Sequence, residues 1–171
     1  MFLTYETYCE KIKKLNENYW LNSKDTRWKY IHYVIELAKS LKISSICEAG
    51  ANGIPLNNTS YLLTYPEHDL NNLDLSKFKE KFDLFIALQV WEHLENQQKA
   101  FENVCEISKK IILSFPYKWK TGDEQHKKID DEKIAEWTCN LKPTSTKEIL
   151  CGKLIRKVYY WDLNEKRKNK T

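Results

Sequence analysis

The stretch Phe82-Asp83-Leu84-Phe85-Ile86-Ala87-Leu88 constrains this chain most. It is apolar apart from one acid and shows no polar alternation, so it suits a strand covered on both faces. A second such run, Lys110-Ile111-Ile112-Leu113-Ser114-Phe115, follows, and Pro116 is expected to stop it. Between the two, residues 96–108 carry Ala100, Val104 and Ile107 at helical spacing, with Asn96 as the cap. Strand, helix, strand in that order is a βαβ unit with parallel strands and a right-handed crossover. The unit predicts an α/β fold with a mainly parallel sheet.

The rest of the chain extends this reading. Trp28, Ile31, Ile35, Ala38 and Leu41 predict a helix over 24–41, with Ser23 or Asp25 capping its start, and an earlier helix over 4–17. Residues 43–48 form a β-leaning run that enters a glycine-bearing loop, Gly50-Ala51-Asn52-Gly53. A short strand is expected within 61–69, ending near Asp69. Beyond Pro116 come a polar loop over 117–129 and a short helix over 131–138, capped by Asp130. Residues 144–150 and 154–163 then pair as antiparallel strands around Gly152, and Tyr159, Tyr160 and Trp161 supply their core faces.

A chain of 171 residues is the length of one domain. Its expected parts are a helical segment over 1–41, a core over 42–163 and a basic tail over 164–171. Apolar residues make up 42% and aromatics 13%, which suffices for a core and argues against disorder. Much of the net charge of +4 sits in Lys166-Arg167-Lys168-Asn169-Lys170. That tail reads as a solvated terminus rather than a nucleic-acid arm, because no basic stripe with interleaved aromatics leads into it. The five cysteines are odd in number and none is paired at a ligand spacing, so neither disulfides nor a metal site is expected. Free thiols suit a cytoplasmic location. No run approaches the ~20 apolar residues of a membrane helix.

Two glycines after a strand make either an ordinary turn or a place where a nucleotide-like ligand approaches the backbone. Asn52 tolerates positive φ and can stand in for a glycine. Asp69, 21 positions beyond Glu48, lies where Rossmann-like sites place an acid for ribose hydroxyls; its other reading is a loop acid or helix cap. His93, at the carboxyl end of the 82–88 strand, and His126, in the loop after the next strand, are candidate bases, since imidazole titrates near neutrality. Their plainer readings are a turn cap and an exposed loop residue. Arg27 and Trp28 are candidates to cover a ligand, or simple helix packing.

The run from Phe82 through Gln89-Val90-Trp91-Glu92-His93-Leu94 closely resembles the fourth-strand signature of class I methyltransferases. The glycine loop, the following helix and the 110–115 strand keep that family's order over about residues 43–116, and more weakly to 161. The resemblance implies a Rossmann-like sheet with helices on both faces, an antiparallel edge hairpin, and S-adenosylmethionine as cofactor. It implies that Glu48, Gly50, Asn52 and Gly53 lie under the methionine part, that Asp69 binds ribose and Leu70 flanks adenine, and that Gln89 sits near the methionine moiety. Two departures stand out. Asn52 replaces a usual glycine, and only 12 residues separate Asp69 from Phe82, so one central strand and its preceding helix are shortened or absent.

The expected function is methyl transfer to a small-molecule acceptor, such as a sugar or glycan precursor, because no substrate domain is left over. A non-catalytic binding or regulatory module on the same fold is the alternative. A nucleic-acid methyltransferase is disfavoured, since Gln89-Val90-Trp91-Glu92 carries an acid where an aromatic-polar motif would stand.

Overall fold

The computed structural model describes residues 1–164; the basic run Lys166-Arg167-Lys168-Asn169-Lys170 lies outside the described residues. The chain runs α1 (Tyr5–Leu15), α2 (Asn18–Ser40), β1 (Ile46–Ala49), β2 (Tyr61–Leu63), β3 (Leu84–Leu88), α3 (Gln97–Ile107), β4 (Lys110–Tyr117), α4 (Asp131–Trp137), β5 (Ser145–Cys151) and β6 (Leu154–Asp162). Six strands form one sheet in the order β2-β1-β3-β4-β6-β5. The pairs β1–β2, β1–β3 and β3–β4 are parallel, and β6 is antiparallel to both β4 and β5.

The period-2 geometry of the strands divides the core. Leu84, Ile86, Ile112, Val158 and Tyr160 face α1 and α2, where Tyr8, Ile12, Tyr30, Val34 and Ile35 cover them. Phe85, Ala87, Ile111, Leu113, Phe115, Tyr159 and Trp161 face α3 and α4. Both faces are therefore buried, which is why the β3 and β4 runs lack polar alternation. Asn96 caps α3 by accepting from Lys99 N at 3.0 Å, and Asp130 caps α4 by accepting from Lys133 N at 2.9 Å.

Three sequence expectations are corrected. Helix α2 starts at Asn18, so neither Ser23 nor Asp25 caps it. Ser23 Oγ instead donates to Tyr19 O at 2.7 Å within the helix, and Asp25 accepts from the Tyr5 hydroxyl. Strand β4 continues through Pro116, because β3 stops pairing at Ser114 and leaves that flank without a partner to lose. Strand β2 ends at Leu63, well short of Asp69. The glycine loop runs on to β2 without an intervening helix.

The segment between β2 and β3 holds only two single-turn 3₁₀ helices, Leu70–Asn72 and Leu75–Lys77. They stand where a helix and a strand are missing, and the six-stranded sheet itself is unbroken.

Asp83 ties three chain segments at the amino end of the parallel strands. Its carboxylate accepts from Ser44 N at 2.8 Å, Ser44 Oγ at 2.6 Å and Lys109 Nζ at 2.8 Å. Lys109 first, then Ser44, holds its pKa well below the usual carboxylate range. A depressed acid stabilises the fold above its unfolded value, near 3.9, and loses that contribution as pH falls through its folded value. Asp83→Asn is expected to cost about 1–2 kcal/mol at pH 7, allowing for partial exposure. Urea unfolding across pH checks this: the gap between the two proteins should be full above about pH 5 and shrink below about pH 4.

Candidate functional site

The chain leaves β1 for β2 on one side of the sheet and returns to β3 on the other. The carboxyl ends of β1 and β3 thus flank a topological switch point, where open α/β sheets bind ligands. A cleft with about 490 Å³ of space, part of it open to solvent, lies there. Its floor is Glu48, Ala49, Gly50, Ala51, Ile86 and Leu88, and its roof is Tyr8, Trp20, Arg27 and Tyr30 from α1 and α2.

Gly50, Asn52 and Gly53 all adopt positive φ, at 70°, 46° and 75°. Asn52 therefore fills the left-handed position its side chain tolerates. Gly50 is set by a neighbour: a Cβ there would run into the Val90 γ-methyl. Gly53 faces open space. Glu48 is buried, and its carboxylate holds the loop after the glycines, accepting from Leu56 N at 2.8 Å, Asn57 N at 3.0 Å and the Ser60 hydroxyl. Burial raises its pKa against those donors. This carboxylate lets the 54–60 loop do without a helix.

Arg27 brings a charge into the roof. Its guanidinium lies 3.9 Å from the Trp20 ring centre. Arg27 lies beside the Tyr8 hydroxyl and acts on it, and neither that hydroxyl nor Arg27 Nε, both buried, completes a well-formed hydrogen bond. Trp28 points elsewhere, packing on Tyr5, Tyr8 and His32. Asp69 caps the first 3₁₀ turn, accepting from Asn71 N at 2.9 Å and Asn72 Nδ2 at 2.8 Å. Leu70 is a core residue, and its carbonyl accepts from Asn103 Nδ2 at 2.8 Å.

A second group of side chains gathers at the end of β3. Gln89 sits at φ 58°, an uncommon conformation for a residue with a side chain. Its amide donates to Ser114 Oγ at 3.1 Å and its carbonyl oxygen accepts from Arg156. Arg156 also lies over the rings of Tyr30, at 4.8 Å, and Trp119, at 5.1 Å. The turn Trp91–His93 carries Glu92 inward and His93 outward. Glu92 is 5% exposed, and no other residue hydrogen-bonds either carboxylate oxygen. Burial pushes its pKa up to about 7, with its own backbone amide and then Arg156 and Arg27 pulling against it.

The polar loop brings His126 to the same place. The His93 and His126 rings meet edge to face, 5.2 Å between centres, and His126 stacks on Trp119 at 5.9 Å. Trp119 is itself anchored by Nε1 donating to Ile155 O at 2.6 Å. Burial, then His93, lowers the pKa of His126. The two histidines singled out in the sequence thus stand together. Arg156 and Trp119 were not foreseen, nor was Glu92 as a buried acid. A charged pair, Arg156-Lys157, inside an otherwise apolar strand was the available signal for the first.

No family model and no curated protein matches the sequence. Solved structures do. N-methyltransferase NodS from Bradyrhizobium japonicum WM9 superposes with a TM-score of 0.60 at 12% identity, over 80% of this chain and 95% of that one. A putative type 11 methyltransferase from Sulfolobus solfataricus gives 0.55 at 12% identity, over 77% and 90%. The N-terminal domain of EvdMO1, solved with SAH and D-fucose, gives 0.50 at 12% identity, over 80% and 82%. The strand order, the glycine loop at the end of β1 and these likenesses agree: the chain has the class I S-adenosylmethionine-dependent methyltransferase fold.

Proposed function

We propose that this chain binds S-adenosylmethionine and methylates a small-molecule acceptor, a sugar or glycan precursor. The observation that carries the reading is the switch-point cleft, with Arg27 Nε and the Tyr8 hydroxyl buried in its roof without a well-formed hydrogen bond. A buried donor without a partner costs free energy that a ligand acceptor would recover. The carboxylate of a methionine moiety is such an acceptor. When bound, S-adenosylmethionine supplies an electrophilic methyl group on a positive sulfur that leaves as a neutral thioether.

The chain's own residues bind and orient. Arg27 and Tyr8 take the carboxylate. The backbone of residues 50–53, with Glu48 beneath it, bears the methionine part, and Gln89 closes the tip of β3 beside it. Asp69 keeps carboxylate lone pairs for ribose, and Leu70 underlies the adenine side. His93 and His126 face the acceptor and receive or loosen its proton. Positioning supplies much of the rate, because methyl transfer from a sulfonium needs little acid–base power. One structural neighbour was crystallised in the presence of SAH and D-fucose, which favours a sugar as the acceptor class.

A second reading, a non-catalytic binding module, is favoured by the helix-free 54–60 loop and the short 64–83 segment, which leave less wall around a nucleoside. Calorimetric titration with S-adenosylmethionine should show saturable heat. Absence of heat and of any thermal shift at millimolar ligand would sink the cofactor claim. Incubation with a labelled methyl donor and a panel of nucleotide sugars and glycans then separates the two: an enzyme transfers label, a module does not.

A further inference from the structure

We propose that Glu92, His93 and His126 form a site for one divalent transition-metal ion. One ligand atom from each lies within 4.8 Å of the others. Two come from the 3₁₀ turn after β3, and the third is carried over by the loop after β4. The observation that points to a cation is Glu92. Its carboxylate is 5% exposed, brings one oxygen within 4.8 Å of a nitrogen of each imidazole, and takes no hydrogen bond from another residue on either oxygen.

The charges of Arg156 and Arg27 act on Glu92 through space, but no ion pair or hydrogen bond joins either guanidinium to its carboxylate among the described residues, and Arg156 is held by the Gln89 carbonyl oxygen. A buried acid in this condition is costly unless a cation or proton meets it.

The two imidazoles make a cation of intermediate softness the fitting one. Two nitrogens and one carboxylate oxygen suit zinc, cobalt, iron or manganese better than calcium or magnesium, which prefer all-oxygen cages. Three protein ligands leave a coordination position open, as in catalytic rather than structural zinc sites. The surroundings hold one ligand in place, since Trp119 stacks on His126.

Ion binding does not depend on the methyl-transfer reading, but its role does. With the ion bound, the imidazoles are ligands rather than bases. An acceptor hydroxyl on the open position becomes more acidic, and its proton leaves to solvent.

The test uses the full chain, stripped with a chelator and titrated with CoCl₂, followed by calorimetry and by visible ligand-field absorption. One cobalt per chain is expected, with an absorption band that ZnCl₂ abolishes. Glu92→Gln, His93→Ala and His126→Ala should each weaken cobalt binding at least about 100-fold, beyond the range seen when outer partners are removed. His32→Ala, a histidine on α2 away from the group, should leave it unchanged.

Wild-type-like cobalt binding by the three variants, or no binding by the wild type, overturns the site. Circular dichroism guards against misfolding, and should Glu92→Gln fail to fold, the partly exposed His126 supplies the decisive variant. Titration of the same samples with S-adenosylmethionine keeps the two claims apart. Cobalt binding without S-adenosylmethionine binding supports the metal site and sinks the cofactor reading, and the converse sinks the metal site alone.

Discussion

Gly50→Ala is expected to lower the unfolding free energy by about 3 kcal/mol and the melting temperature by roughly 6–12 °C. Two costs combine. The backbone stands at φ 70°, where an added Cβ costs about 1–2 kcal/mol. The same Cβ would meet the Val90 γ-methyl, and overpacking of this kind costs about 1–3 kcal/mol. For a domain of this size each kcal/mol moves the melting temperature by about 2–4 °C.

The contact makes a sharper test. Adding Val90→Ala to Gly50→Ala should recover the steric part and leave about 1–2 kcal/mol of backbone strain, so the two changes couple favourably in a double-mutant cycle. Gly53→Ala, with a similar φ but nothing nearby, should show the strain alone. Strict additivity between positions 50 and 90 would show that the glycine is needed for its φ and not for the approach of Val90. The contact joins the floor of the cleft to the tip of β3, so the double variant should also regain S-adenosylmethionine binding that the single variant loses.

Arg27→Ala should weaken S-adenosylmethionine binding about 10–100-fold, because a hydrogen bond to a charged group contributes about 1.5–3 kcal/mol. The guanidinium is already partly dehydrated, stacked 3.9 Å from Trp20 and buried at Nε. It therefore gives up little solvation on meeting a carboxylate. Some stability is lost as well, since cation–π stacking contributes about 0.5–2 kcal/mol.

Two ligands separate the roles. S-adenosylhomocysteine keeps the carboxylate and should suffer the same loss, whereas 5′-methylthioadenosine lacks it and should bind the variant as it binds the wild type. Equal weakening of both ligands would mean that Arg27 acts by holding the roof in place rather than by touching the carboxylate. Arg27→Lys should fall between, because an ammonium keeps the charge but not the planar stack.

What could be read from the sequence was local or periodic. Strands β3 and β4 are apolar on both faces because both faces are covered. The alternation in β6, the Gly152 turn and the Asn96 and Asp130 caps are signals carried within a few residues. The positive φ at Asn52 was legible for the same reason, as a property of that side chain in that loop.

The sequence did not reveal what depends on distant partners. The 54–60 loop dispenses with a helix because a carboxylate at Glu48, eight to twelve positions earlier, satisfies its amides and the Ser60 hydroxyl. The spacing of Asp69 and Leu70 suggested a nucleoside contact but did not announce that Asp69 also caps a 3₁₀ turn and that Leu70 packs in the core, since both depend on the fold around them.

The far end of the site is still less local. Gln89 meets Arg156 across 67 positions, and His126 reaches His93 only because a loop anchored through Trp119 folds back over the sheet. Sequence alone determined which residues could build a sheet and a glycine loop, through backbone preference and the burial of apolar faces. Only the tertiary structure decided that Glu92, His93, His126 and Arg156 would converge, because burying a charge requires partners that no local pattern can specify.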